Sequence, residues 1–151
     1  MLLLIAYGNS LRRDDGAGLV LAEQLAGLWQ EEGVAIRHLA LQQLAPELAL
    51  EISSSEVAKV LFVDTACSDK EHVTLHPLTS QEPGRILGHQ LTPESLLLYA
   101  QQLYGRCPPA WLLTIPGSDF GFGEGFSATT AKYLREASTN AWQLYRQLEG
   151  L

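Results

Sequence analysis

The sequence predicts an α/β domain, a three-layer sandwich with a largely parallel, twisted sheet between layers of helices. Three observations lead there. Short apolar runs of strand length alternate along the chain with stretches whose apolar residues recur at helical spacing. Two of the runs, residues 2–7 (LLLIAY) and 57–63 (VAKVLFV), are nearly continuous in apolar character, as strands buried on both faces are. The 151 residues, 46% hydrophobic and 18% charged, suit one domain over positions 1–151 with a core of its own.

The elements follow in order. Residues 2–7 form the first strand, and a polar loop, 8–15, comes after it. Leu21, Leu25, Leu28 and Trp29 share a helical face, and Gly33 supplies a stop. A second strand is expected over 34–39. Leu44, Leu48 and Ile52 mark a short helix with Pro46 in its first turn, where the missing N–H costs nothing. Residues 57–63 are the next strand, with Asp64 at its end. Residues 73–76 suit an edge strand closed by Pro77. Thr92-Pro93 is a cap followed by an N1 proline, and Leu96, Ala100, Leu103 and Tyr104 give that helix its apolar stripe. A strand over 110–115 ends at Pro116-Gly117. The glycine-rich loop GSDFGFGEGF then leads to Ser127, an N-cap. Leu134, Ala137, Ala141, Leu144, Tyr145 and Leu148 lie on one face of a single long closing helix.

Composition excludes several classes of partner. A formal net charge of −7 repels phosphate backbones and anionic lipid, which argues against nucleic acid and membrane surfaces. The apolar N-terminus lacks a basic region and a small-residue cleavage site, and no apolar run approaches the ~20 residues of a membrane span. The two cysteines, Cys67 and Cys107, stand in no metal-type spacing. A cytoplasmic protein with reduced thiols is expected.

Ligands of open α/β sheets bind beyond the carboxyl ends of the strands. Asp14-Asp15, Asp64 and His89 fall in such positions. Two carboxylates and an imidazole would form an O/O/N site suited to a borderline divalent ion such as nickel or zinc. On pattern alone each has a structural alternative. Either member of the acidic pair suits a helix cap, Asp64 a turn, and His89 an exposed loop. His38, His72 and His76 have only the structural reading, and Ser53 to Ser55 read as a solvated helix end. No Gly-x-Ser-x-Gly elbow occurs, and neither cysteine has a catalytic surround.

Five blocks, in order, resemble those of hydrogenase maturation endopeptidases. They are GNSLRRDDGAG (8–18), QLAPELA (43–49), FVDTA (62–66), GHQLTPESLLLYAQQLYG (88–105) and IPGSDFGFGEGFS (115–127). The resemblance implies a metal-recognising trio of Asp15, where many members carry glutamate, Asp64 and His89. These would engage nickel already bound in the precursor large subunit of a nickel–iron hydrogenase, whose C-terminal extension is then removed. It implies too that nickel arrives with the substrate and is not held tightly by the free protein. Asp14, beside Asp15, is the candidate general base. The loop after the last strand, with Gly117, Asp119 and Gly121, is expected to be flexible and to grip the extended tail. The chain departs from the family where a glycine before Gly-Asn is replaced by Ala6, followed by Tyr7.

Two other α/β readings compete. A phosphoacceptor receiver also has an acidic pair after strand one and a strand-end aspartate. Here the pair lies several residues beyond the strand, and no lysine precedes Pro116. A dinucleotide-binding domain needs G-x-G-x-x-G in the first turn, which is absent.

Overall fold

The computed structural model describes residues 1–68, 70–80 and 91–150. Five strands, β1 (Leu2–Tyr7), β2 (Ile36–Leu41), β3 (Lys59–Cys67), β4 (Thr74–Leu78) and β5 (Ala110–Gly117), form one sheet in the order β2-β1-β3-β5-β4. The pairs β1–β2, β1–β3 and β3–β5 are parallel, and only the edge strand β4 runs antiparallel. Helices α1 (Ala17–Glu31), α4 (Ala128–Thr139) and α5 (Ala141–Leu148) cover one face. Helices α2 (Leu48–Ile52) and α3 (Pro93–Tyr104) cover the other.

Both faces are buried, so β1 reads as a continuous apolar run while its side chains still alternate. Leu2, Leu4 and Ala6 pack under α1, and Leu3 and Ile5 pack under α2 and α3. In β3, Leu61 and Val63 share the first face and Val60 and Phe62 the second. The Trp29 indole N–H donates to the Ala141 carbonyl at 2.8 Å, tying α1 to α5. No described helix is long and apolar enough to cross a membrane.

The predicted architecture holds, with several local corrections. β2 begins two residues later than expected, at Ile36. Pro46 lies in the turn before α2, whose first residue is Leu48. β4 continues through Pro77, which is tolerated because an edge strand has a side with no ladder to donate to. β3 runs beyond Asp64 to Cys67, because β5 keeps pairing with it as far as Cys67↔Gly117 after β1 has stopped at Ala6↔Val63. The closing helix is two helices, divided at Asn140. Ser138, Thr139 and Asn140 are residues whose side chains compete for backbone partners, and the Thr139 hydroxyl donates back to the Arg135 carbonyl at 3.0 Å.

After β1 the chain turns to β2 on one side, and it later crosses to β3 on the other. The point where strand order reverses therefore lies between β1 and β3, and a crevice opens there at the carboxyl ends. Thr92 and Ser95 form a reciprocal cap that starts α3 next to this end of the sheet.

Candidate functional site

A cleft of about 750 Å³ opens at the reversal point, and its walls include Tyr7, Gly8, Asp15, Gln42, Asp64 and Leu91. Asp64 leaves β3 on the α2/α3 face. Its neighbour Thr65 leaves on the opposite face, accepts from the Gly18 N–H at 2.9 Å and donates to the Asp15 carbonyl at 3.4 Å. Thr65 thus fastens the start of α1 to β3, which brings Asp15 and Asp64 together. Two glycines permit this closeness. A Cβ at Gly8 would sit 2.2 Å from the Asp15 carbonyl oxygen, and one at Gly18 would sit 3.1 Å from the Asp64 carbonyl carbon.

Asp15 accepts from the Asn9 backbone N–H at 2.7 Å through Oδ2. Asp64 is pushed up to about 6, first by burial and then by the charge of Asp15. The Thr65 N–H and the Tyr7 hydroxyl oppose that rise without cancelling it. Two carboxylates that repel one another in a partly desolvated cleft gain most from a cation between them. Oxygen donors with open positions fit a divalent ion. Among the described residues no three His, Cys, Asp or Glu side chains form a metal-holding group. His89, the third member of the expected trio, lies outside the described residues.

Asp14 has a different environment from the one expected of a general base. It is 0% exposed, and its carboxylate accepts from the N–H groups of Ser118 (2.9 Å), Asp119 (2.9 Å) and Ser127 (2.8 Å) and from the Ser127 hydroxyl (2.7 Å). Burial alone would raise its pKa, but these hydrogen bonds outweigh it and hold the carboxyl down to about 2. With these donors the Asp14 carboxylate ties the glycine-rich loop to the segment after β1, and it is not among the described residues lining the cleft.

The loop itself is tied to the segment after β1, not loose. The Gly123 N–H donates to the Leu11 carbonyl at 2.8 Å, the Arg13 N–H to the Gly123 carbonyl at 3.1 Å, and the Asp14 N–H to the Asp119 carbonyl at 2.9 Å. Arg13 takes a left-handed conformation (φ 46°) to make this join, and its side chain pairs with Asp119 at 3.6 Å. Gly117, Asp119 and Gly121 are not among the described residues lining the cleft. Gly117 packs behind Asp14, where a Cβ would meet Thr65 Cγ2 at 2.7 Å. Sequence reasoning missed Tyr7, Thr65 and Gln42. Their only signal was position, since Tyr7 and Gln42 lie at or just beyond the carboxyl end of a strand and Thr65 two residues before one.

No protein-family model and no curated protein sequence matches the chain. Solved structures do. The [NiFe] hydrogenase maturation protease HycI of Thermococcus kodakarensis superposes with a TM-score of 0.64 at 19% identity, over 91% of this chain and 87% of its own. The hydrogenase maturating endopeptidase HybD of E. coli gives 0.64 at 17% identity, over 97% and 92%. The hydrogenase 2 maturation peptidase of Thaumarchaeota archaeon SCGC_AB-539-E09 gives 0.63 at 17% identity, over 95% and 97%. The chain has the hydrogenase maturation protease fold. The likeness extends over nearly the whole of the chain and of each neighbour, so the fold is shared from β1 to the last helix.

Proposed function

We propose that the protein is an endopeptidase that removes the C-terminal extension of the nickel-loaded precursor large subunit of a nickel–iron hydrogenase, acting in the cytoplasm. The observation that carries the reading is the meeting of Asp15 and Asp64 in one cleft, at the reversal point of a fold shared with hydrogenase maturation proteases. Asp15 and Asp64 engage the nickel of the precursor, with His89 as the third ligand. Leu91, two residues beyond His89 in the sequence, lines the same cleft. Nickel is then part of the substrate, and gripping it fixes the otherwise mobile extension against the enzyme. Asp14 holds the loop after β5 by accepting from the Asp119 N–H among others, and that loop, with Gly117, Asp119 and Gly121, meets the extension away from the nickel.

The receiver-like reading is disfavoured by topology. A receiver orders its strands 2-1-3-4-5, whereas here β5 lies beside β3 and an antiparallel β4 takes the edge. The test of the proposal compares cleavage of precursor made with and without nickel, using wild type and His89→Ala. Cleavage of the nickel-loaded precursor alone, lost in His89→Ala, is the expected outcome. Equal cleavage of both precursors by wild type contradicts nickel recognition.

A further inference from the structure

Beside the cleft, at the carboxyl end of β2, lies a second concavity that has no role in the function proposed above. This groove has a volume of about 350 Å³ and shares Gly8 and Gln42 with the cleft, so the two are continuous. Their chemistry differs. Asp15 and Asp64 charge the cleft, whereas every described residue lining the groove is uncharged, in a chain of net charge −7. Leu11, Leu19, Ala40 and Leu41 give the groove its apolar walls. Leu19, on α1, packs on the core of its own face of the sheet and Leu41 on that of the other, so both are anchored. Leu11 is 60% exposed, yet its backbone is fixed at both ends. Its N–H donates to Asn9 Oδ1 at 3.0 Å, and its carbonyl accepts from the Gly123 N–H at 2.8 Å, which joins the rim of the groove to the loop after β5.

We propose that the groove receives an apolar side chain of the precursor's C-terminal extension and selects precursors by it. The inference rests on the endopeptidase reading. An extension engaged in the cleft reaches the groove over Gly8 and Gln42, and because the two concavities share that border, residues of one extended peptide occupy both. A concave site with apolar walls and few polar groups discriminates by shape and polarity. A charged side chain placed there would lose water without gaining a partner of opposite charge. Taking one leucine-sized side chain out of water corresponds to about 10–100-fold in affinity.

The test measures affinity by biolayer interferometry for the nickel-loaded large subunit with its extension and truncated before it, using wild type, Leu11→Asp and Ala40→Trp. Leu11→Asp puts a charge in the groove and Ala40→Trp fills it. Both positions are exposed, and unchanged melting temperatures verify that the variants fold. Each variant should bind the precursor about 10-fold more weakly and the truncated subunit as wild type does. Replacing the apolar residues of the extension by serine, one at a time, should reproduce the loss at one position and add little there in Ala40→Trp. Unchanged affinity of both variants for the precursor, or equal loss for precursor and truncated subunit, would overturn the assignment. Self-association of wild type in sedimentation velocity that Ala40→Trp abolishes would also overturn it, by giving the groove to a second copy of the chain. Wild type that neither binds nor cleaves the precursor would remove the endopeptidase reading itself, and this proposal with it.

Discussion

Asp14→Asn separates a loop clamp from a catalytic base. The variant keeps the shape of the side chain but removes the charge and turns one acceptor oxygen into an N–H donor. That donor faces groups that are themselves donors, the N–H groups of Ser118, Asp119 and Ser127 and the Ser127 hydroxyl. The carboxyl is held at about 2 against an ordinary 3.8, and linkage between those values corresponds to about 2 kcal/mol of stability at neutral pH. At least one N–H left unpaired in the buried site adds about 1–3 kcal/mol. A total loss of about 2–4 kcal/mol follows once overlap between the two figures is allowed for, or ~5–15 °C in melting temperature for a chain of this size. The sign with pH is fixed. The folded pKa lies below the unfolded one, so this stability is present above about pH 4 and is lost as pH falls toward 2. The gap between wild type and variant should therefore narrow by about 1 kcal/mol between pH 7 and pH 3. Urea and thermal melts at both pH values measure it. Equal stability at pH 7, together with abolished cleavage, would refute the clamp and return Asp14 to the role of base.

Other expectations concern the cleft. Asp64→Asn should abolish processing of nickel-loaded precursor while leaving the melting temperature unchanged or higher, since the folded protein already raises this carboxyl through burial and Asp15. Full processing activity would remove Asp64 from the site. Asp15→Glu should retain processing because a longer carboxylate still reaches a cation, whereas Asp15→Ala should not. Identical behaviour of the two in a cleavage assay would leave Asp15 only its bond to the Asn9 N–H. Gly8→Ala drives a methyl into the Asp15 carbonyl oxygen at 2.2 Å, and overpacking of this kind costs about 1–3 kcal/mol. Lower stability and impaired processing are expected together, and a wild-type melt with full activity would show that the turn relaxes without effect.

Local chemistry made most of the fold legible. Alternation of strand-length and helix-length apolar patterns is sufficient for a parallel sheet covered on both faces, because each element must bury the surface its pattern displays. Thr92 and Ser127 announced their helices through side chains that satisfy backbone donors within three residues. The division at Asn140 was hidden because the apolar stripe of the closing segment continues on one face across the break.

The sequence by itself determined the layers, the positions of the strands, and the pair Asp15 and Asp64 as residues at or near their carboxyl ends. Only the tertiary structure decided which acid faces the cleft. Asp14 and Asp15 are adjacent and identical in chemistry, and nothing local distinguishes them. Ser118, Asp119 and Ser127 approach from more than a hundred residues away and enclose the first, while the fold leaves the second at the wall of the cleft with Asp64. A carboxylate's role depends on the donors and charges around it, and those come from whichever strands the sheet order makes neighbours.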